Sequence, residues 1–236
     1  MIYGLITARK GSKRIPNKNI SNFCGKPLVQ WTLEAALKAS FLDEVFVSTD
    51  CPEVAKLAMQ LGCKIPFSRP QSLSTSSSTH FDVLSHFIKW CETNNNLPKY
   101  IMTLQPTSPL RDSADIDSAI QLCYKNSPNA VVSVNCVTNT SHPSLLKKIL
   151  SANKLYSIIN SNNNLFKTKT PKKLYAINGA IYLNNVTSLI RSKKFVPNGS
   201  IAYIMPRYKS IDIDDHEDFK LASIVKKGIK GFENIN

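Results

Sequence analysis

The 236-residue chain predicts an α/β fold: a mostly parallel sheet covered by helices on both faces. Three observations predict it. Short apolar runs alternate with stretches of helical periodicity along most of the chain. The first run is apolar throughout rather than at every second residue, as a strand buried on both faces requires. The segments between runs are long enough for the crossovers that parallel strands need.

Each element has its own signal. Ile2 to Ala8 is the first buried strand, followed by a polar, glycine-containing loop from Arg9 to about Asn19. Pro27 stands where the first turn of a helix tolerates proline, and Leu28, Trp31 and Leu33 to Leu37 carry helical spacing onward. Val45 to Ser48 is a second strand, Pro52 to Leu61 a helix ended by Gly62, and Lys64 to Phe67 a short third strand. Phe81, Leu84, Phe87, Ile88 and Cys91 form one helical stripe, broken by Asn94 to Asn96 before the strand Tyr100 to Leu104. A helix over Ala114 to Tyr124 and a strand over Ala130 to Val134 complete the alternation.

Between Cys136 and Tyr175 the pattern stops: Asn and Lys accumulate and no stripe is sustained. Alone, such a segment buries too little apolar surface to offset its conformational entropy. Residues 136–175 are therefore expected to form a loop, or an inserted arm ordered against another subunit, with 1–135 and 176–236 as the main domain. Ala180 to Leu183 and Ile201 to Ile204 resume as strands, and Ile211 to Ile213 is a strand leading into a helix that starts near His216.

Lys plus Arg number 30 against 16 acidic residues, so 30 minus 16 gives +14, and an anionic partner is expected. No apolar run approaches the ~18 residues of a membrane span, and the first residues do not read as a secretory signal. A cytoplasmic protein without a membrane partner is the expectation. The six cysteines include no C-x-x-C pair and have no His at zinc spacing, so they read as reduced, mostly buried thiols. A nucleic-acid-binding module is the alternative of another class. No basic recognition helix or aromatic ladder supports it, and no nucleic-acid partner is expected.

The loop L-I-T-A-R-K-G-S-K-R-I-P-N-K-N, Leu5 to Asn19, gathers Arg9, Lys10, Lys13, Arg14 and Lys18 around Gly11 and Ser12. Cations and backbone amides thus converge at the rim of a sheet, which suits a polyphosphate. An ordinary basic surface loop is the competing reading, but open α/β sheets bind ligands at this place. Neither a Walker A loop nor G-x-G-x-x-G occurs. Near the other end, Asp212 and Asp214 stand two apart on the expected strand, so both carboxylates project from one face, as a divalent cation requires. The competing reading of D-I-D-D-H-E-D is the cap of the following helix.

The run A-R-K-G-S-K-R-I-P-N-K-N-I resembles the opening signature of the acylneuraminate cytidylyltransferases, the CMP-sialic acid synthetase family. V-S-T-D (Val47 to Asp50), S-R-P-Q-S-L (Ser68 to Leu73), L-Q-P-T-S-P-L-R (Leu104 to Arg111), N-G-A-I-Y (Asn178 to Tyr182) and I-D-I-D (Ile211 to Asp214) agree in the same order. The resemblance implies a Rossmann-like nucleotidyltransferase domain with a small dimerisation arm, and a homodimer. It implies transfer of CMP from CTP to the anomeric hydroxyl of a nine-carbon 2-keto sugar acid, N-acetylneuraminic or legionaminic acid, with release of pyrophosphate. A pseudaminic acid substrate is the alternative; an eight-carbon Kdo-type sugar ranks low because Asn19 follows Lys18 where that branch has proline.

The resemblance also implies roles. Arg9, Lys13 and Lys18 would be catalytic cations holding the phosphates with Gly11 and Ser12. Asn19 would lie near the nucleotide, and Arg69 would read the cytosine edge. Gln105, Asn178 and Tyr182 would face the sugar, and Asp212 and Asp214 would hold Mg2+, leaving Asp215, Glu217 and Asp218 to cap the helix. Without the resemblance, Gln105 reads equally as a polar strand end, Tyr182 as core packing and Arg111 as an ion-pair partner. Four positions depart from the family. Ser76 stands for an acid on the nucleotide side, Ala176 and Thr168 stand for arginines, and Leu145 stands for a lysine, with Lys147 and Lys148 close by. Lys167 beside Thr168 is the sugar-side candidate to compensate, although lysine lacks arginine's bidentate grip on a carboxylate.

Overall fold

The fold is that of a computed structural model describing residues 1–12, 14–75, 77–158 and 173–233. Lys13, Ser76, Lys167 and Thr168 lie outside the described residues. The main sheet contains β1 (Ile2–Ala8), β4 (Glu44–Thr49), β5 (Tyr100–Leu104), β6 (Ala130–Cys136), β9 (Tyr175–Asn185) and β10 (Ile201–Ile204), in the order β10-β6-β9-β5-β1-β4. Two small antiparallel pairs lie outside it: β2 (Asn22–Phe23) with β3 (Lys26–Pro27), and β7 (Lys147–Ile149) with β8 (Leu155–Ser157). The helices are α1 (Leu28–Leu37), α2 (Pro52–Leu61), α3 (His80–Thr93), α4 (Ser113–Asn126), α5 (Val186–Ser192) and α6 (His216–Glu233).

The sheet is mixed rather than wholly parallel. β4, β1 and β5 run parallel, as do β6 and β10, while β9 runs antiparallel between β5 and β6. Both faces are covered. Ile2 and Ile6 of β1 pack with Val29 and Leu33 of α1 and Ile116 of α4 on one side, and Tyr3 and Leu5 pack with Leu84 and Phe87 of α3 and Leu189 of α5 on the other. Each such fully buried large side chain stabilises the fold by about 2 kcal/mol in area bookkeeping. A third cluster, including Phe23, Leu28, Ile213 and Val225, seats α6 beside the loop that follows β1.

Local signals set the helix ends. Gly62 ends α2 in the left-handed region at φ 97°, which costs a glycine nothing. Reciprocal capping boxes start α3 (Thr79 with Asp82) and α4 (Asp112 with Asp115), and Asp215 and Asp218 form another at α6.

Three expectations change. Lys64 to Phe67 is not a continuous strand: it touches β4 only through isolated bridges, Phe46 to Lys64 and Thr49 to Ser68. Ile211–Ile213 is extended but joins no strand. Ile213 donates its amide to Thr107 O at 2.8 Å, so the segment is pinned to a loop. The described residues of the stretch from 136 to 175, namely 136–158 and 173–175, are also more regular than their composition suggests, because β6 continues to Cys136, β9 begins at Tyr175, and the β7-β8 hairpin lies between. That hairpin is exposed along both strands, so no buried face left a hydrophobic alternation in its sequence. Among the described residues no helix is long and apolar enough to cross a membrane.

Candidate active site

A cavity of about 290 Å3 opens at the carboxyl ends of β1 and β5, bounded by the loops that follow them, by the segment from Arg69 into α3 and by segment 212–214. Arg9, Gly11, Ser12, Lys18 and Asn19 line one side, Arg69 a second, and Gln105, Asp212 and Asp214 a third. Nine residues singled out in the sequence therefore share one cavity, although more than 190 positions separate Lys18 from Asp212.

V-S-T-D, at the end of β4, ties the cation-bearing segments together. Asp50 Oδ1 accepts the Lys10 amide at 2.8 Å, and Thr49 Oγ1 donates to Ala8 O at 2.5 Å. Ser48 holds Arg69 through its hydroxyl, at 3.0 Å from Nε, and through its carbonyl. Burial pulls the Arg69 pKa down to about 10, with nearby Asp50 opposing, and the guanidinium remains charged at neutral pH. Arg9 Nη1 donates to Thr75 O at 2.9 Å, and Asn19 Nδ2 donates to Arg9 O at 2.9 Å. Asn19 therefore orients the turn that carries Arg9.

Lys18 reaches across the cavity floor and donates from Nζ to Ile213 O at 2.6 Å. Burial lowers its pKa, while Asp214 and Asp212 work the other way. Asp212 shows the reverse balance: burial raises its pKa, a Thr107 hydroxyl bond opposes, Asp214 adds to the rise and Lys18 opposes it. Its Oδ1 is buried with no hydrogen-bond partner among the described residues. Asp214 is exposed and meets Arg14 at 3.1 Å, a contact of two solvated side chains worth little. Ile213 between them points into the core, fully buried, so alternation of an extended chain still turns both carboxylates toward the cavity.

N-G-A-I-Y forms a bulge. The β6-β9 register shifts between Val132 and Val134, and the extra β9 residues arch around Ser133. Gly179 takes φ 76° at the crest, where a Cβ would stand 3.5 Å from Asp212 Oδ2 and 3.8 Å from Gln105 Nε2. Arg111, fully buried, donates to Ala180 O at 2.9 Å and to Gln105 O at 3.3 Å. It forms no ion pair among the described residues; its role is to hold two carbonyls behind the cavity wall.

Asn178 and Tyr182 do not line the cavity. Asn178 accepts from Ser133 Oγ at 2.6 Å and donates to Ser210 Oγ at 2.9 Å, joining the bulge to the segment before Asp212. Tyr182 packs edge-on against Phe195, and burial, then Asp212, raises its pKa. Lys209 anchors that segment further, at 2.6 Å from Asp112 and 3.3 Å from Asp115, with the Tyr203 hydroxyl at 2.8 Å from Asp115.

Sequence reasoning missed His80, Thr75 and Thr107 in the lining. The hydroxyl-rich run Ser74 to Thr79 before a capping box was the available signal. His80 opens onto the cavity at the start of α3, and burial lowers its pKa, followed by the charges of Arg69 and Arg9.

The decisive comparison is with family models: the one described as Cytidylyltransferase matches residues 3–228. The chain belongs to the cytidylyltransferase family. An N-acylneuraminate cytidylyltransferase of Streptococcus agalactiae serotype V is 31% identical over 217 residues, covering 91% of this chain and 51% of the relative. A CMP-N,N'-diacetyllegionaminic acid synthase of Legionella pneumophila is 31% identical over 222 residues, covering 93% and 94%. This cytidylyltransferase chain thus spans about half the length of the first relative and nearly all of the second. A solved CMP:2-keto-3-deoxy-manno-octonic acid synthetase superposes with a TM-score of 0.69 at 18% identity, covering 97% of this chain and 99% of the other, and shows the same Rossmann-like fold.

Proposed function

We propose that the chain transfers CMP from CTP to the anomeric hydroxyl of a nine-carbon 2-keto sugar acid, N-acetylneuraminic or legionaminic acid, releasing pyrophosphate. One observation carries the reading: Lys18, Arg9 and Asp212, from opposite ends of the chain, converge on a single cavity in a cytidylyltransferase fold. The named relatives at 31% identity support the sugar class.

In this reading Arg9 and Lys18, with Ser12 and the loop amides, hold the triphosphate. Arg69, fixed by Ser48, meets the pyrimidine edge. Gln105, next to Gly179, presents its amide to sugar hydroxyls. The sugar oxygen forms a bond to the α-phosphorus as the bond to the β-phosphate oxygen breaks, and the hydroxyl's proton passes to solvent water. Charge then grows on the leaving pyrophosphate, where fixed cations stabilise it more than they stabilise bound CTP. Lys13, Ser76 and Lys167 keep their expected roles as part of the proposal.

The carboxylates suit Mg2+. This ion takes one or two carboxylates together with substrate phosphate oxygens, and Asp212 offers a buried oxygen without a partner beside Asp214. When bound there, Mg2+ supplies positive charge to the phosphate oxygens. Asp212 orients from a segment held by Ile213, Ser210 and Lys209, and the weak Arg14 contact leaves Asp214 free to turn inward.

Incubation with CTP, Mg2+ and a panel of N-acetylneuraminic, legionaminic and pseudaminic acids is expected to release pyrophosphate with one of the first two. Absence of release with every sugar would overturn the reaction; release with pseudaminic acid alone would move the substrate to that branch.

We also propose a homodimer built on the arm. Ile149, Leu155, Leu145 and Ile158 are 69%, 66%, 58% and 55% exposed, an apolar surface that a second copy would cover. Light scattering is expected to give twice the 26.3 kDa chain mass, and a fully active monomer would remove this assignment.

A further inference from the structure

A second cleft, of about 260 Å3, lies where α1, α6 and the first turn of α4 meet, and shares no lining residue with the catalytic cavity. We propose that this cleft binds a compact multivalent oxyanion, of which inorganic phosphate is the simplest member.

Charge pairing around the cleft leads to this ligand class. Two acids and three cations border it. The acids are already engaged, Glu34 by Lys26 and Asp112 by Lys209. The cations, Lys38, Arg111 and Lys226, form no ion pair among the described residues. Asp112 and Asp115 act on Arg111, and Asp112 on Lys226, only from beyond ion-pair distance, so three positive charges border the cleft with no carboxylate in direct contact among the described residues.

Arg111 is the deepest of them. It is 1% exposed, its Nη1 is used by Ala180 O and Gln105 O, and its Nε and Nη2 have no partner among the described residues. A charge sealed in this way is costly unless compensated. Because the guanidinium is closed to solvent, it acts on the cleft through its field, while Lys226, Lys38 and Ser113 supply contacts at the surface.

Lys226 also shares one aromatic ring with a second cation. Its Nζ lies 4.0 Å from the centroid of Trp31, and Lys26 Nζ lies 3.7 Å from the same ring. Burial first, then Lys26, lowers the Lys226 pKa. Its one hydrogen bond among the described residues is a long one, 3.4 Å to Pro109 O. An oxyanion would give this ammonium a short, charge-assisted partner. A volume of about 260 Å3 admits phosphate or a small phosphate ester. Since Arg111 also holds carbonyls behind the catalytic wall, a bound anion would steady that guanidinium without entering the catalytic cavity.

The chain has two tryptophans, Trp31 and Trp90, and their indole N–H signals provide the test. Titration with sodium phosphate is expected to shift the Trp31 signal saturably and leave Trp90 in place, with sodium chloride at equal ionic strength producing no such shift. Lys226→Gln should weaken binding by about tenfold, the loss of one charge-assisted hydrogen bond. Lys38→Gln, at an exposed position, should weaken it in the same direction if Lys226→Gln unfolds the protein. Lys18→Met should leave it unchanged, so this site and the proposed reaction can fail separately. A parallel titration with glycerol 3-phosphate distinguishes esterified from free phosphate: tighter binding of the ester assigns the former, and equal binding the latter. A Trp31 response matched by chloride, or titration curves identical in wild type and both lysine variants, would overturn the site.

Discussion

Asp212→Asn is expected to lower turnover by on the order of 1,000-fold while the protein remains folded. The substitution keeps the side chain's shape and removes the charge. In the folded protein that charge is held against a burial cost that raises the Asp212 pKa, with one oxygen left unpartnered. A residue kept for stability alone would gain from neutralisation, because an amide costs less to bury than a carboxylate. The measurements are pyrophosphate release under saturating CTP and sugar, and the melting temperature. Near-normal turnover would remove the metal assignment. A large drop in melting temperature would instead identify Asp212 as structural.

Lys18→Met should produce the second largest loss, on the order of 100-fold or more in kcat/KM, carried mainly by kcat. Lys18 Nζ is fixed by Ile213 O at 2.6 Å and lies within the field of both carboxylates, so it is positioned before substrate arrives. A group that stabilises the departing pyrophosphate more than bound CTP affects kcat; one that only attracts CTP affects KM. Steady-state kinetics over a range of CTP concentrations separates the two. A change confined to KM would reduce Lys18 to a binding residue. The variant should fold, since methionine fills the same half-buried path and loses one hydrogen bond to a backbone carbonyl, about 1 kcal/mol.

Much of this architecture is legible in the sequence where a single local force decides it. β1, α1, α3 and β5 sit where apolar pattern and breakers place them, because burial acts directly on those residues. The cationic loop and the I-D-I-D segment are legible as chemistry, but their meeting is not. It depends on a crossing of the chain that brings Ile213 to Thr107, which local pattern does not encode. Asn178 shows the limit most clearly. The family resemblance implies a sugar contact there, whereas its side chain lies in a bulge and bonds Ser133 and Ser210. Arg111 misleads in the other direction: a charged residue before a helix suggests an ion pair, and its guanidinium serves two carbonyls.

The place of β9 in the sheet has a consequence for how the polypeptide is made. β5 and β6 do not pair with each other; each reaches the other only through a strand that ends at Asn185. While the chain leaves the ribosome, a β5-β1-β4 unit can assemble, but the inner edges of β5 and β6 stay open until most of the molecule has been synthesised. Unpaired inner edges of this kind invite chaperone binding and intermolecular pairing, so yield during expression should depend more on translation speed and temperature than the finished protein's stability would suggest.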